Sequence, residues 1–74
     1  MREWLKEART KNGLTMKEMG DALAISESYY CKIEKGDKQR DMDLSLVDRI
    51  SKALDIPLKK ILIEEEKLRR RGEL

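Results

Sequence analysis

The sequence predicts an all-α fold of five short helices, and three observations predict it. Leu, Ile, Met, Lys and Glu dominate, with Trp4, Tyr29 and Tyr30 the only aromatics, a composition that favours helices over strands. Apolar residues recur three and four positions apart instead of alternating, which is the period of a helix with one buried face. Stop signals at Asn12-Gly13, Ala24-Ile25-Ser26, Gly36 and Pro57 cut the chain into pieces of helical length. At 74 residues this is one domain, near the size at which a single apolar core just holds.

The first helix is expected from about Arg2 to Lys11, with Leu5 and Ala8 facing inward. Asn12-Gly13 ends it, because glycine readily takes the left-handed backbone of a helix terminus. Thr15 is a ready N-cap for the second helix, and Glu18, three residues on, completes a capping box. Met19 and Leu23 share a face there, with Gly20 beside them to let the third helix pack closely. Ser26 caps that third helix, from Glu27 to about Lys35, and Gly36 stops it. The stretch Asp37–Met42 has no apolar period and reads as an exposed loop. Asp43 caps a fourth helix with the stripe Leu44, Leu46, Val47, Ile50 and Leu54. Pro57 suits the first turn of a fifth helix holding Leu58, Ile61 and Leu62. The domain is expected over residues 1–63, with 64–74 a charged C-terminal tail, helical or frayed.

Composition excludes more than it selects. Charged residues make up 43% of the chain, yet the net charge is only +2. That excess lies in residues 1–40, with nine basic and seven acidic side chains, against eight of each in 41–74. A basic face, not bulk charge, would have to attract phosphate. One cysteine, Cys31, and no histidine leave no disulfide framework, no metal site and no acid–base constellation to nominate. The chain is therefore expected to be no enzyme, with no cofactor, no metal and no small-molecule effector. There is no apolar run long enough for a membrane and no signal-peptide pattern, so a cytoplasmic protein is expected, with no membrane partner.

The third helix divides sharply around its axis. At ~100° per residue from Glu27, Cys31 falls near ~40°, Lys35 near ~80°, Ser28 near ~100° and Lys32 near ~140°. Tyr29, Tyr30, Ile33 and Glu34 take the opposite arc. One side is hydrophobic enough for a core, and the other is a row of hydrogen-bonding groups.

From Leu5 to Leu62 the chain resembles the phage-repressor-like helix-turn-helix family, of lambda and Cro type. The resemblance lies in Leu5-Lys6-Glu7-Ala8-Arg9, Asn12-Gly13-Leu14-Thr15, Met19-Gly20-Asp21-Ala22-Leu23 and Ile25-Ser26-Glu27-Ser28-Tyr29-Tyr30. It continues through Lys32-Ile33-Glu34-Lys35-Gly36 and Arg49-Ile50-Ser51-Lys52-Ala53-Leu54-Asp55-Ile56-Pro57-Leu58. It implies a compact five-helix lambda-repressor-like domain whose third helix enters the major groove of double-stranded DNA. Carried over by position, Glu27, Ser28 and Lys32 would read bases: Lys32 can donate to guanine, and Glu27 can accept from cytosine. Thr15, Tyr29, Lys35, Lys38 and Arg40 would touch the DNA backbone, which positions without reading sequence. Arg9 and Glu34 match a family ion pair between the first and third helices and are read as structural. Tyr30 is read as core and Cys31 as a small exposed side chain.

The resemblance also marks departures. Met16 replaces a frequent glutamine that holds phosphate and braces the third helix. Ala24 stands where glycine is common, and the loop after Gly36 is about two residues longer than usual, without its proline. The function implied is a sequence-specific transcriptional regulator, a repressor on a palindromic operator, acting as a homodimer. Leu58, Ile61, Leu62 and Leu68 are the dimer-interface candidates, although the first three also suit a simple core closure. The basic run Lys67–Arg71 is either an unattached tail or a source of non-specific phosphate affinity. The competing reading is a protein-interaction module that keeps the fold without specific DNA binding.

Overall fold

The computed structural model describes residues 1–73 and forms α1 Glu3–Lys11, α2 Met16–Ala22, α3 Glu27–Lys35, α4 Leu44–Leu54 and α5 Leu58–Arg70. No strand occurs among the described residues. Three helices start on a side-chain cap that satisfies one of the amides left free at a helix start. Thr15 Oγ accepts from the Glu18 amide at 3.1 Å while the Glu18 carboxylate accepts from the Thr15 amide at 2.9 Å. Ser26 Oγ accepts from the Tyr29 amide at 3.0 Å, and Asp43 Oδ1 from the Leu46 amide at 2.8 Å. Gly36 ends α3 with φ 86°, and Asp55 ends α4 with φ 54°.

The core is a single cluster to which every helix contributes: Leu5 from α1, Met19 from α2, Tyr30 and Ile33 from α3, Ile50 from α4 and Ile61 from α5. Leu23, just past α2, joins it. The helix-forming pattern is thus also the packing pattern, and burial of these side chains is the main driving force for the fold.

The structure corrects four expectations. Arg2 is not in the first helix but is its N-cap residue, with no side-chain cap bond, and it is wholly buried. Leu44 leaves the apolar stripe of α4 and is 85% exposed; on the wheel it lies about 100° from the centre of Leu46, Val47, Ile50 and Leu54. Pro57 sits just ahead of α5 as its N-cap, not inside the first turn. The segment from 64 is helical to Arg70, one of the two states expected of it, but it is not a tail set apart at residue 63, because α5 runs through unbroken with Glu65 and Leu68 buried. Leu74 lies outside the described residues.

Candidate nucleic-acid interface

The third helix is held from behind by a buried polar cluster. Arg9 of α1 donates from Nε to Glu34 Oε2 at 2.9 Å and from a terminal nitrogen to Oε1 at 3.3 Å, and its other terminal nitrogen reaches the Leu14 carbonyl at 2.8 Å. Tyr30 Oη donates to the same Glu34 Oε2 at 2.7 Å. Both Tyr30 and Glu34 are fully buried. Burial first, then the Glu34 bond, pushes the Tyr30 phenol above its ordinary range, and the Glu34 bond raises the Arg9 guanidinium. A two-pronged arginine pair with a third donor fixes rotation of α3 about its axis more firmly than apolar packing alone.

That orientation turns Glu27, Ser28, Lys32 and Lys35 outward, all exposed, along one face. They border a shallow hollow shared with Cys31 and Met16. Cys31 and Met16 are half-buried, so Cys31 is less open than expected. The three base-reading candidates are therefore together on the free side of a braced helix.

The turn into α3 is set by close backbone contact. A Cβ on Gly20 would stand 3.0 Å from the Ile25 carbonyl oxygen and 3.3 Å from the Glu27 amide nitrogen. Gly20 therefore lets α2 meet the turn and the first amide of α3, rather than the body of the helix. Ala24 takes φ 59° there, a left-handed conformation that costs an L-residue about 1–2 kcal/mol. Arg49 of α4 donates to the Leu23 carbonyl at 3.0 Å, covering the end of α2.

The loop after α3 is set from a distance. The Arg2 amide donates to the Glu34 carbonyl at 2.8 Å, and its guanidinium donates to the Ile33 carbonyl at 2.7 Å and the Lys38 carbonyl at 3.2 Å. The same group also bonds the Gln39 carbonyl and reaches the Arg40 carbonyl at 3.4 Å. Arg2 Nε contacts both Glu65 carboxylate oxygens, at 2.9 and 3.0 Å, and Trp4 Nε1 donates to Glu65 Oε2 at 2.7 Å. Gln39, at φ 57°, donates to Tyr29 Oη at 3.0 Å and accepts from the Asp43 amide at 3.2 Å. Lys38 and Arg40 are left exposed.

Two groups of expected residues are placed differently. Thr15 is committed to its cap, and the Glu18 carboxylate lies on its amide; a phosphate there would meet a like charge, which disfavours Thr15 as a backbone contact. Tyr29 is half-buried against the core with its hydroxyl engaged by Gln39. Of the dimer candidates, Ile61 and Leu68 are buried within the chain and unavailable to a partner. Leu58 and Leu62 are 47% and 58% exposed, joined by Ile63 at 44%.

A helix-turn-helix family model matches residues 5–61. The chain belongs to the helix-turn-helix family, of Cro/C1 type. Among helix-turn-helix relatives, transcriptional regulator ClgR of Mycobacterium tuberculosis, in strains CDC 1551 / Oshkosh and H37Rv, is 35% identical over 60 residues. That alignment covers 81% of this chain and 52% of ClgR. The uncharacterised HTH-type transcriptional regulator YqaF of Bacillus subtilis strain 168 is 38% identical over 45 residues, 61% of this chain and 59% of YqaF. The chain thus spans little more than half the length of these curated relatives. In this helix-turn-helix domain α2 and α3 are the paired helices, and α1, α4 and α5 hold them.

Sequence reasoning missed Arg2, Trp4, Gln39 and Glu65. One signal was present: Ile61, Glu65 and Leu68 share the i, i+4, i+7 spacing of a buried stripe. A carboxylate in such a stripe calls for buried donors or a cation beside it, and the pattern did not say which.

Proposed function

We propose that this chain is a sequence-specific regulator of transcription, a repressor, that binds double-stranded DNA through α3 and acts in the cytoplasm as a homodimer on a palindromic operator. The observation carrying this reading is the outward row Glu27, Ser28 and Lys32 on a helix locked by Arg9, Glu34 and Tyr30. Base reading needs donors and acceptors held at fixed positions in the groove, and a rotating helix cannot discriminate. Lys35, Lys38 and Arg40 supply cations beside that row for phosphate contact. The names of ClgR and YqaF as transcriptional regulators support the same class.

A palindromic operator would engage two copies. The longest dimension of the fold is 30 Å, whereas successive half-sites on one face of DNA lie about 34–36 Å apart. The exposed Leu58, Leu62 and Ile63 offer an isologous patch on α5. An antiparallel α5 pair centred between Leu62 and Ile63 sets Lys59 of each copy against Glu66 of the other.

Selection from a random duplex library, followed by affinity measurement across a salt series, tests the proposal. A palindromic site with a steep negative salt slope is the expected result. No enrichment from folded protein at low salt would favour a protein-interaction module. On the selected site, Lys32→Ala should lose about 1–3 kcal/mol of discrimination at one or two base pairs. An unaltered sequence preference in that variant would remove Lys32 from the reading set.

A further inference from the structure

Three consecutive carbonyls, those of Lys38, Gln39 and Arg40, converge on the Arg2 guanidinium. An extended chain cannot do this, because successive residues point to opposite sides. The left-handed Gln39, at φ 57°, bends the loop so that its carbonyls turn inward. The Lys38 and Arg40 side chains are left in solvent as a consequence. The guanidinium that gathers them is itself fixed, held edge-on by Glu65 of α5, with the Trp4 indole on the same carboxylate. An exposed pair, Arg69 to Asp41 at 2.8 Å, ties the same loop to the same helix a second time. Arg2 and Glu65 both lie outside residues 5–61, the span shared with the family model.

We propose that Arg2 is a positioning residue for DNA-backbone contact: wholly buried and unable to touch DNA, it sets where Lys38 and Arg40 meet the phosphates, with Glu65 as its anchor. The inference rests on the DNA-binding reading above. Lysine cannot replace arginine here, since a single ammonium cannot bond two carboxylate oxygens while also reaching carbonyls in the plane of a fork. The loop lacks the rigidity that a proline would give it, and the guanidinium supplies that rigidity from outside.

The test is a set of double-mutant cycles on the selected duplex, made with the full chain. In the wild-type background, Lys38→Ala and Arg40→Ala should each flatten the slope of log affinity against log salt by about one. Arg2→Lys, assayed at a temperature where circular dichroism shows it folded, should flatten the slope by itself. In that background the two alanine changes should have little further effect, while the order of base preference stays that of the wild type. A loss of stability alone would leave both slope and additivity unchanged in the folded molecules. Glu65→Gln keeps the side-chain shape and one acceptor oxygen, so it provides a gentler variant with the same expected ordering if Arg2→Lys does not fold. Hydrogen exchange adds a readout without DNA: the amides of Asp37, Lys38 and Asp43 should lose protection in either variant while those of α4 keep theirs.

A folded Arg2→Lys with the wild-type slope and undiminished effects of Lys38→Ala and Arg40→Ala overturns the proposal. So does a wild-type slope that ignores both alanine changes, because the loop then touches no phosphate. Absence of any salt-dependent duplex binding by the wild type is a different result, which overturns the regulator reading and this inference together.

Discussion

The two connections on either side of α3 are built on opposite plans. The turn before it, between α2 and Ser26, is short and shaped mainly by near neighbours: Gly20 beneath it, Ala24 left-handed and Ser26 capping, with a single long-range bond from Arg49 to the Leu23 carbonyl. The loop after it is longer and is shaped by a side chain that comes from ahead of α1 and is anchored in the middle of α5. Both contain a non-glycine residue at positive φ, Ala24 and Gln39. Only at Gln39 does the side chain gain something from that conformation, with one bond to Tyr29 and another to the Asp43 amide. A short connection can be specified by residues within it, whereas a long one needs a restraint brought from elsewhere to offset its larger conformational entropy.

The largest expected effect breaks the rear connection. Glu65→Ala leaves the buried Arg2 charge without its carboxylate and should cost about 3–5 kcal/mol, read as a fall in the urea midpoint. A change below about 1 kcal/mol would class the pair with ordinary surface bridges. Next comes the front turn, where Gly20→Val should cost about 1–3 kcal/mol by forcing branched atoms onto the Ile25 carbonyl. A stability equal to wild type would mean that the turn yields easily and is not set by that contact.

A smaller pair of variants sharpens the contrast. Ala24→Gly should stabilise by roughly 0.5–1 kcal/mol, the relief of the left-handed strain less the greater freedom of glycine in the unfolded chain. Gln39→Gly should bring no gain, because the two side-chain bonds leave with the strain. Equal gains at both positions, measured by thermal melting, would erase the distinction. The smallest effect lies at the capping box of α2. The Thr15 amide, followed by its hydroxyl, holds the exposed Glu18 carboxyl below its usual 4.5. The stabilisation is therefore fully present above that pH and is lost as pH falls through the lower folded value. The melting-temperature advantage of wild type over Glu18→Gln should shrink between about pH 5 and pH 3; a constant difference would show that the charge plays no part.

The sequence was most readable where structure depends on near neighbours. Ser26 and Gly36 bound α3 because caps act within three or four residues, and the polar row from Glu27 to Lys35 follows from the helical period alone. Arg9 with Glu34 came through the family resemblance, since nothing local pairs residues 25 positions apart. Arg2 escaped both routes. It has no apolar period around it and lies before the span that carries the resemblance. Leu44 misled because an apolar residue in the first turn of a helix looks like part of the stripe until its angle is compared with that of Ile50 and Leu54. Ile61 and Leu68 misled as interface residues for the related reason that one helix carries two apolar faces. Glu65 divides Ile61 from Leu68 on the inner face, while Leu58, Leu62 and Ile63 face outward.

The Arg2–Glu65 bond also has a consequence for how the molecule comes into being. The two residues are 63 positions apart, so a ribosome makes Arg2 long before its partner Glu65. Until Glu65 has been made, the guanidinium has no carboxylate to meet, whereas the caps of α2 and α3 need only residues three positions away. Closing so long a loop adds little entropic penalty over a shorter one, about 0.6 kcal/mol per doubling of length, so the delay is one of timing rather than of energy. The rear loop thus takes its final shape only after α5 has been made, later than the turn before α3. A chain stopped short of Glu65 would present the outer face of α3 with the loop of Lys38 and Arg40 still unrestrained.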